Sequence, residues 1–151
     1  MHRVTRYSAV TLVGLLSFAS IAVAEDWPTW RHDAGRTNIS AEKIPDPLRL
    51  QWKRQLPPVT PAFRKPRLQF DQGYEPIVLG DTMYVALPHI DAVVAYAVET
   101  GKEKWRFYTA GPVRLAPVAW RGRIYFGSDD GHLYCLSATD GELQWKFRAV
   151  P

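Results

Sequence analysis

The amino-acid sequence predicts an all-β protein that contains two copies of a four-stranded antiparallel unit. Three observations support this fold class. Short apolar runs alternate with turn residues, the stretch "TGKEKWRF" at 100–107 is matched by "DGELQWKF" at 140–147, and no helical periodicity occurs after residue 24. A period of forty-odd residues is typical of repeat architectures, in which each unit is stable only against its neighbours.

The first element is a leader at 1–24. A basic start is followed by an apolar run over 9–23, and Ala22 and Ala24 supply the small-x-small pattern that signal peptidase requires. We therefore expect export and cleavage after Ala24. An uncleaved anchor is the alternative, although the run is short for a membrane span and "EDW" follows it at once.

Residues 25–70 are predicted to form a lead-in that ends in a basic, proline-rich connector. Removing residues 1–24 from the 151-residue chain leaves 127 residues, and the net charge falls from +4 to +2 because Arg3 and Arg6 are lost. A charge of +2 is too small to indicate nucleic-acid binding. The basic run at 53–67 is interpreted as an extended, solvated connector, with an anion or partner site as the alternative.

Cysteine and histidine give no sign of a disulfide or a metal site. Cys135 is the only cysteine and lies in the apolar run "HLYCLS", so a small buried apolar role is expected. The four histidines stand at positions 2, 32, 89 and 132, without the spacing of metal ligands. The sequence predicts no metal site.

Two aligned stretches, 75–107 and 116–147, define the repeat. Proline, tyrosine, glycine and tryptophan recur in the same order, at an offset of 41 for the first two and 40 for the last two. One residue lost in a loop accounts for the change of offset. The matched pairs are Pro76 and Pro117, Tyr84 and Tyr125, Gly101 and Gly141, and Trp105 and Trp145. We expect the first unit at 71–110 and the second at 111–151.

Each unit divides into four strands joined by tight turns. In the second unit, Arg121-Gly122, Asp129-Asp130-Gly131 and Thr139-Asp140-Gly141 read as the three turns. In the first unit, Gly80-Asp81 and Thr100-Gly101 occupy corresponding positions. The strands of the second unit are expected at 114–120, 123–128, 132–138 and 142–147.

Both faces of the third strand in each unit are apolar. In the second unit, Leu133 and Cys135 face one side while Tyr134 and Leu136 face the other. An antiparallel sheet that is apolar on both faces needs a neighbour on each side. Radially stacked four-stranded blades meet that need, so the units are predicted to be two blades of an incomplete β-propeller.

Four residues are predicted to have a structural role between blades. Trp105 and Trp145 lie on the outermost strands, where an indole can reach the adjacent blade and donate its N–H to a backbone carbonyl. Gly101 and Gly141, four residues earlier, are predicted to close the turns that aim these rings.

The stretches "AYAVETGKEKW" (95–105) and "CLSATDGELQW" (135–145) resemble the tryptophan-docking motif of pyrroloquinoline-quinone-like (PQQ-like) β-propeller repeats. Many members of that family carry aspartate at the third position, where this chain has Ala97 and Ser137. The lead-in is also similar to that of exported BamB-like propellers. Its "LQWK" at 50–53 repeats 143–146 and is expected to be an outer strand of the closing blade, whose partners would come from the other end of a full chain.

The resemblance leaves three functions open. These are an exported non-catalytic scaffold or protein-binding platform, part of a PQQ-dependent alcohol or sugar dehydrogenase, and a propeller whose other activity lies on missing segments. It implies that the dehydrogenases hold the quinone with a stacking tryptophan, Ca²⁺ with acidic and amide ligands, and a catalytic carboxylate. We could nominate no such set here and therefore predict no catalytic residue, cofactor or metal. The platform is the preferred interpretation.

The remaining conspicuous side chains have structural interpretations. Asp129 and Asp130 are read as hairpin residues, with a Ca²⁺ site as the alternative, and Asp33 and Arg36 as an ion pair or loop caps. The six tryptophans, at 27, 30, 52, 105, 120 and 145, are assigned to packing. Two blades do not close a ring, so we expect further blades downstream. We also expect protein partners, no nucleic-acid binding and no membrane span after removal of the leader.

Overall fold

The computed structural model describes residues 25–62 and 73–149. The leader at 1–24 and the connector beyond residue 62 lie outside the described residues, so cleavage after Ala24 remains a prediction. Within the described ranges, the chain forms no helix of the length and apolarity needed to span a bilayer.

Eight strands form two four-stranded antiparallel sheets, and the predicted all-β fold is confirmed. Each sheet is a simple meander, ordered β1-β2-β3-β4 and β5-β6-β7-β8. In the described residues the one helical element is a 3₁₀ turn at Pro88–Ile90. The first sheet contains β1 (Ile77–Leu79), β2 (Thr82–Leu87), β3 (Ala92–Ala97) and β4 (Glu103–Tyr108). The second contains β5 (Val118–Trp120), β6 (Arg123–Gly127), β7 (His132–Ser137) and β8 (Leu143–Arg148).

The two sheets share the same register. Tyr84 pairs with Ala95 in the first sheet as Tyr125 pairs with Cys135 in the second. A β-bulge follows at the same place in both third strands, after Ala95 and after Cys135. The change of offset from 41 to 40 arises in the hairpin between the second and third strands. In the first sheet four residues, 88–91, separate the last paired residues of β2 and β3. In the second sheet only three residues separate Ser128 from His132, whose carbonyl accepts from the Ser128 amide.

The sheets pack face to face around the larger apolar core. The first sheet contributes Tyr84 and Trp105, which are 2% and 9% exposed. The second contributes Tyr134 and Leu136, so these residues face the first sheet while Leu133 lies on the opposite face. The other buried members include Ile77, Ala86, Val93, Ala95, Val113, Ala119, Ile124 and Phe126.

The other face of the first sheet is covered by Leu56 of the lead-in and by Tyr74. Val94 and Tyr96 are buried there, with Leu56 and Tyr74 packed against their cluster. The first sheet is therefore buried on both faces, which is the arrangement expected of a propeller blade.

The far face of the second sheet is apolar and open. Leu133, Trp145 and Phe147 are 39%, 39% and 62% exposed. Their counterparts forty residues earlier are Val93, Trp105 and Phe107, which pack against the second sheet. The open face of the second sheet is therefore equivalent, in the repeat, to the face of the first sheet that packs against the second sheet.

Residues 26–28 run beside β1 and β5, the first strands of the two sheets. Trp27 exchanges two backbone hydrogen bonds with Val78, both 2.9 Å, and Pro28 O accepts from the Ala119 amide at 2.7 Å. The Asp26 carboxylate accepts from the Gly80 amide at 2.6 Å. The start of the lead-in therefore ties the two sheets together along their first strands.

Candidate functional site

Trp105 reaches across to the second sheet. Its Nε1 donates to Ala138 O at 3.0 Å, and its ring lies on Gly141. A Cβ at Gly141 would come within 2.6 Å of the indole, and the residue has φ of +75°. Only glycine combines that backbone with that contact. We call this carbonyl and glycine together a tryptophan seat.

Trp52 of the lead-in occupies a second tryptophan seat, on the first sheet. Its Nε1 donates to Val98 O at 2.7 Å, and a Cβ at Gly101 would lie 2.7 Å from its ring. Val98 and Ala138 hold the same position in the two matched stretches. The glycine of one unit therefore receives the indole that precedes the unit, a role beyond the turn closure inferred from sequence.

Residues 50–53 form no strand within the described residues, and the outer strand of a closing blade stays a prediction because its partners were expected from outside this chain. A strand needs a hydrogen-bonding neighbour, and the described chain offers none beside these residues. The segment is instead held by side chains: Arg54 donates to Gly101 O at 2.9 Å and lies 4.4 Å from the Tyr96 ring centre. Trp52 is anchored without a sheet.

Trp145 has the local surroundings of Trp105 but lies on the open face. Its ring centre is 6.0 Å from that of Tyr125, at 51°, while Trp105 and Tyr84 are 5.6 Å apart, at 48°. Trp145 is 39% exposed against 9% for Trp105. The difference between the two tryptophans is the presence of a neighbouring sheet.

Ala97 and Ser137 do not prevent the turns from closing. The Gly101 amide donates to Ala97 O at 2.8 Å, and the Gly141 amide donates to Ser137 O at 3.0 Å. Backbone hydrogen bonds close both turns without the aspartate that many family members have.

The loop face is the end of the two sheets that carries residues 88–91, 109–117 and 128–131. Arg114 joins two parts of it, since its Nε donates to Asp129 at 2.6 Å and its Nη1 donates to Thr60 O at 3.1 Å. Asp129 is therefore an ion-pair partner, in agreement with a structural role.

Asp130 is the centre of a second loop-face network. Its carboxylate accepts from the Tyr134 hydroxyl at 2.5 Å and from the amides of His132 and Ala110 at 3.0 and 3.1 Å. Burial raises the pKa of this carboxyl, but these hydrogen bonds outweigh burial and leave the pKa below its usual value. Burial and the hydrogen bond to Asp130 raise the pKa of Tyr134 to about 12.

A pocket of about 160 Å³ opens beside Arg114. Tyr74 shapes one side, because its hydroxyl donates to Pro57 O at 2.8 Å and lies 3.3 Å from His89 Nδ1. Sequence reasoning missed this pocket, since its lining comes from four separate segments with no common spacing. The lining residues are Pro58, Val59, Thr60, Pro61, Tyr74, Pro88, His89 and Arg114.

The other candidates take structural places. Asp33 caps its loop by accepting from the Thr37 amide at 3.0 Å and the Thr37 hydroxyl at 2.6 Å, whereas Arg36 lies over Trp30 and makes no ion pair with Asp33. Cys135 is fully buried. Across residues 25–62 and 73–149, no three histidine, cysteine, aspartate or glutamate side chains converge as metal ligands would.

The family model for outer membrane protein assembly factor BamB matches residues 23–151. The chain belongs to this PQQ-like β-propeller family. Its two sheets are two blades of an incomplete propeller, and the seat of Trp105 lies where one blade meets the next. The family, however, includes proteins with different activities.

Three relatives show how far the similarity extends. The dehydrogenase subunit of quinone alcohol dehydrogenase from Gluconacetobacter polyoxogenes is 30% identical over 97 residues, which cover 56% of this chain and 13% of that protein. The 1-butanol dehydrogenase (cytochrome c) of Thauera butanivorans is 28% identical over 150 residues, which cover 87% of this chain and 20% of that protein. The crystal structure of the quinohemoprotein alcohol dehydrogenase of Comamonas testosteroni superposes with a TM-score of 0.61 and 25% identity. The match covers 82% of this chain and 19% of that protein.

This PQQ-like chain thus spans about a fifth or less of the relatives it matches.

Proposed function

We propose that this PQQ-like chain is part of an exported, non-catalytic propeller that serves as a protein-binding platform in the cell envelope. One observation carries the proposal: the tryptophans and turn aspartates that the sequence analysis singled out make contacts within the molecule. Trp52 and Trp105 fill tryptophan seats, while Asp129 and Asp130 hold loops together. Such residues build a rigid support.

The loop face supplies the binding surface in this proposal. Proline and aromatic side chains form fixed walls around the pocket, and His89 and Arg114 add polar groups at its rim. Walls of this kind lose little conformational entropy when a partner binds, because proline and tyrosine have few rotatable bonds. The match to the BamB family is consistent with an envelope location.

The second candidate is the N-terminal part of a quinone-dependent alcohol dehydrogenase. The 1-butanol dehydrogenase favours it, since that alignment covers 87% of this chain. The ligand set for Ca²⁺ does not assemble within the described residues, where the carboxylates of Asp129 and Asp130 already have partners. These residues therefore do not fit the metal, and we derive no catalytic step through it or the quinone.

Photo-crosslinking of the exported protein tests the platform. A photoreactive residue at His89 should capture a protein partner in intact envelopes, because His89 is exposed beside the pocket. The same residue at Thr139, exposed in a turn at the opposite end of the sheets, is the matched control and should capture little. Equal capture at both positions contradicts a loop-face platform.

A second measurement tests whether this chain itself binds the quinone. Pyrroloquinoline quinone and Ca²⁺ are titrated into the exported chain, and oxidation of primary alcohols is followed with an electron-accepting dye. We expect neither a saturable change in absorbance nor alcohol oxidation. Saturable micromolar binding followed by alcohol oxidation overturns the non-catalytic assignment.

A further inference from the structure

The loop at 29–38 has a strained backbone. Four of its non-glycine residues adopt left-handed φ angles: Arg31 at 61°, His32 at 79°, Arg36 at 55° and Asn38 at 58°. For residues with a Cβ, this conformation is sterically unfavourable. Strain of this kind persists where other contacts hold it and is concentrated at functional positions.

Two guanidinium groups converge on one indole within this loop. The Cζ atoms of Arg31 and Arg36 lie 4.6 and 5.2 Å from the ring centre of Trp30, which is itself 37% exposed. Both arginines are among the strained residues. The left-handed turns therefore bring two positive charges to one exposed ring.

The nearby carboxylates are paired with other groups. Asp33 binds Thr37 through both its oxygens, and those hydrogen bonds lower the pKa of its carboxyl. Glu25 contacts His32 Nε2 at 3.2 Å and accepts a hydrogen bond from Ser40. Among the described residues, neither Arg31 nor Arg36 has a carboxylate within ion-pair distance.

Stacking on an indole leaves the donors of a guanidinium available. A guanidinium has five N–H donors, and those that the ring does not engage can still form bidentate hydrogen bonds with an oxyanion. The indole also removes water from one side of each cation, which strengthens its attraction for an anion. Two such groups carry a charge of +2, which matches a phosphate monoester better than a single carboxylate.

We propose that Trp30, Arg31 and Arg36 form a binding site for a phosphate group. The site holds the phosphate between the outward edges of the two guanidinium groups. It stands directly after residues 26–28, which tie the two sheets together along β1 and β5, so the loop is mounted on a fixed base.

Titration of the exported chain with inorganic phosphate, followed by ³¹P NMR and calorimetry, tests the site. Saturable binding is expected, with a loss of about tenfold or more for Arg31→Gln or Arg36→Gln, as removal of a charged hydrogen bond implies. Arg31→Lys should also weaken binding, because lysine keeps the charge but not the fork.

Arg121→Gln is the matched control. Arg121 also has a left-handed φ, of 47°, and lies 4.3 Å from the ring centre of exposed Trp120, but it is a single arginine. The Arg121→Gln variant should bind phosphate with the same affinity as the parent chain. Unchanged affinity in the Arg31→Gln/Arg36→Gln double variant, or no saturable binding by the parent, overturns the proposal. A fall in melting temperature without a change in affinity assigns the arginines to packing and also overturns it.

Vesicles distinguish the source of the phosphate. Phosphatidylcholine vesicles with and without phosphatidic acid are sedimented with the chain. Capture that needs phosphatidic acid and both arginines identifies a lipid headgroup as the ligand. Binding of inorganic phosphate without vesicle capture identifies a soluble phosphate, and capture that survives the double variant overturns a lipid-binding role for this site.

Discussion

Replacing Trp105 with alanine should destabilise the protein far more than the same change at Trp145. The two residues occupy equivalent strand positions and contact equivalent tyrosines, Tyr84 and Tyr125. Only Trp105 fills a tryptophan seat, and it is 9% exposed against 39%. The pair therefore isolates the contribution of contact between the sheets.

The magnitude follows from burial and one hydrogen bond. Truncation of a buried tryptophan to alanine costs about 3–5 kcal/mol, through lost apolar contact and the cavity left behind. The Ala138 carbonyl also loses the indole donor, although the Tyr84 hydroxyl still donates to it at 3.0 Å. We expect about 4 kcal/mol at Trp105 and about 1 kcal/mol at half-exposed Trp145.

Urea denaturation of the chain from Glu25 onward, followed by circular dichroism, measures the difference. With a slope of roughly 1.3 kcal/mol/M, the Trp105 variant should shift the midpoint by about 3 M or lose its cooperative transition. The Trp145 variant should shift it by less than about 1 M. Equal shifts for the two variants would refute the conclusion that the tryptophan seat joins the sheets.

Four further outcomes are expected. Gly141→Ala should lower stability more than Gly122→Ala, since both glycines have positive φ but only the first would place its Cβ against an indole; equal thermal melts would contradict this. The raised pKa of Tyr134 means that the folded state holds the phenolic proton more tightly, so this stabilisation is complete below about pH 10 and is lost as the pH rises towards about 12. Tyr134→Phe should therefore flatten the fall in stability over that range, and an unchanged alkaline profile argues against it. N-terminal sequencing of exported material should begin at Glu25, whereas an intact leader on a membrane-bound product would rule out cleavage. The chain alone should be marginally stable or prone to aggregate, because the open face of the second sheet leaves large apolar side chains in water, and a third PQQ-like blade fused after residue 149 should raise its melting temperature and solubility. A monomer that already melts cooperatively at high temperature would refute that expectation.

The strands could be predicted because their signals are local. Alternation along β7 placed Tyr134 and Leu136 on one face and Leu133 on the other, and the structure agrees. The first strand of the second unit was predicted too long, from residue 114, whereas β5 begins at Val118. Arg114 instead forms an ion pair with Asp129, and a contact between residues so far apart in sequence cannot be predicted from a local pattern.

The candidate sites depend on distant parts of the chain. Gly101 reads as a turn glycine because its positive φ already explains it, so nothing nearby shows that Trp52 lies on it. The repeated "LQWK" was the available signal, since it gives Trp52 the same sequence neighbours as Trp145. The pocket beside Tyr74 and Arg114 likewise forms only when separate segments meet.

The bridge made by residues 26–28 has a consequence for the order of folding. Trp27 pairs with Val78 and Pro28 with Ala119, partners that are made long after the lead-in. Closing such long loops is entropically costly and slow compared with forming hairpins of neighbouring strands. Each meander can therefore assemble first, and the lead-in docks last although it is synthesised before the sheets. During that interval the first strands have unpaired backbone groups, and the lead-in is open to proteases and chaperones.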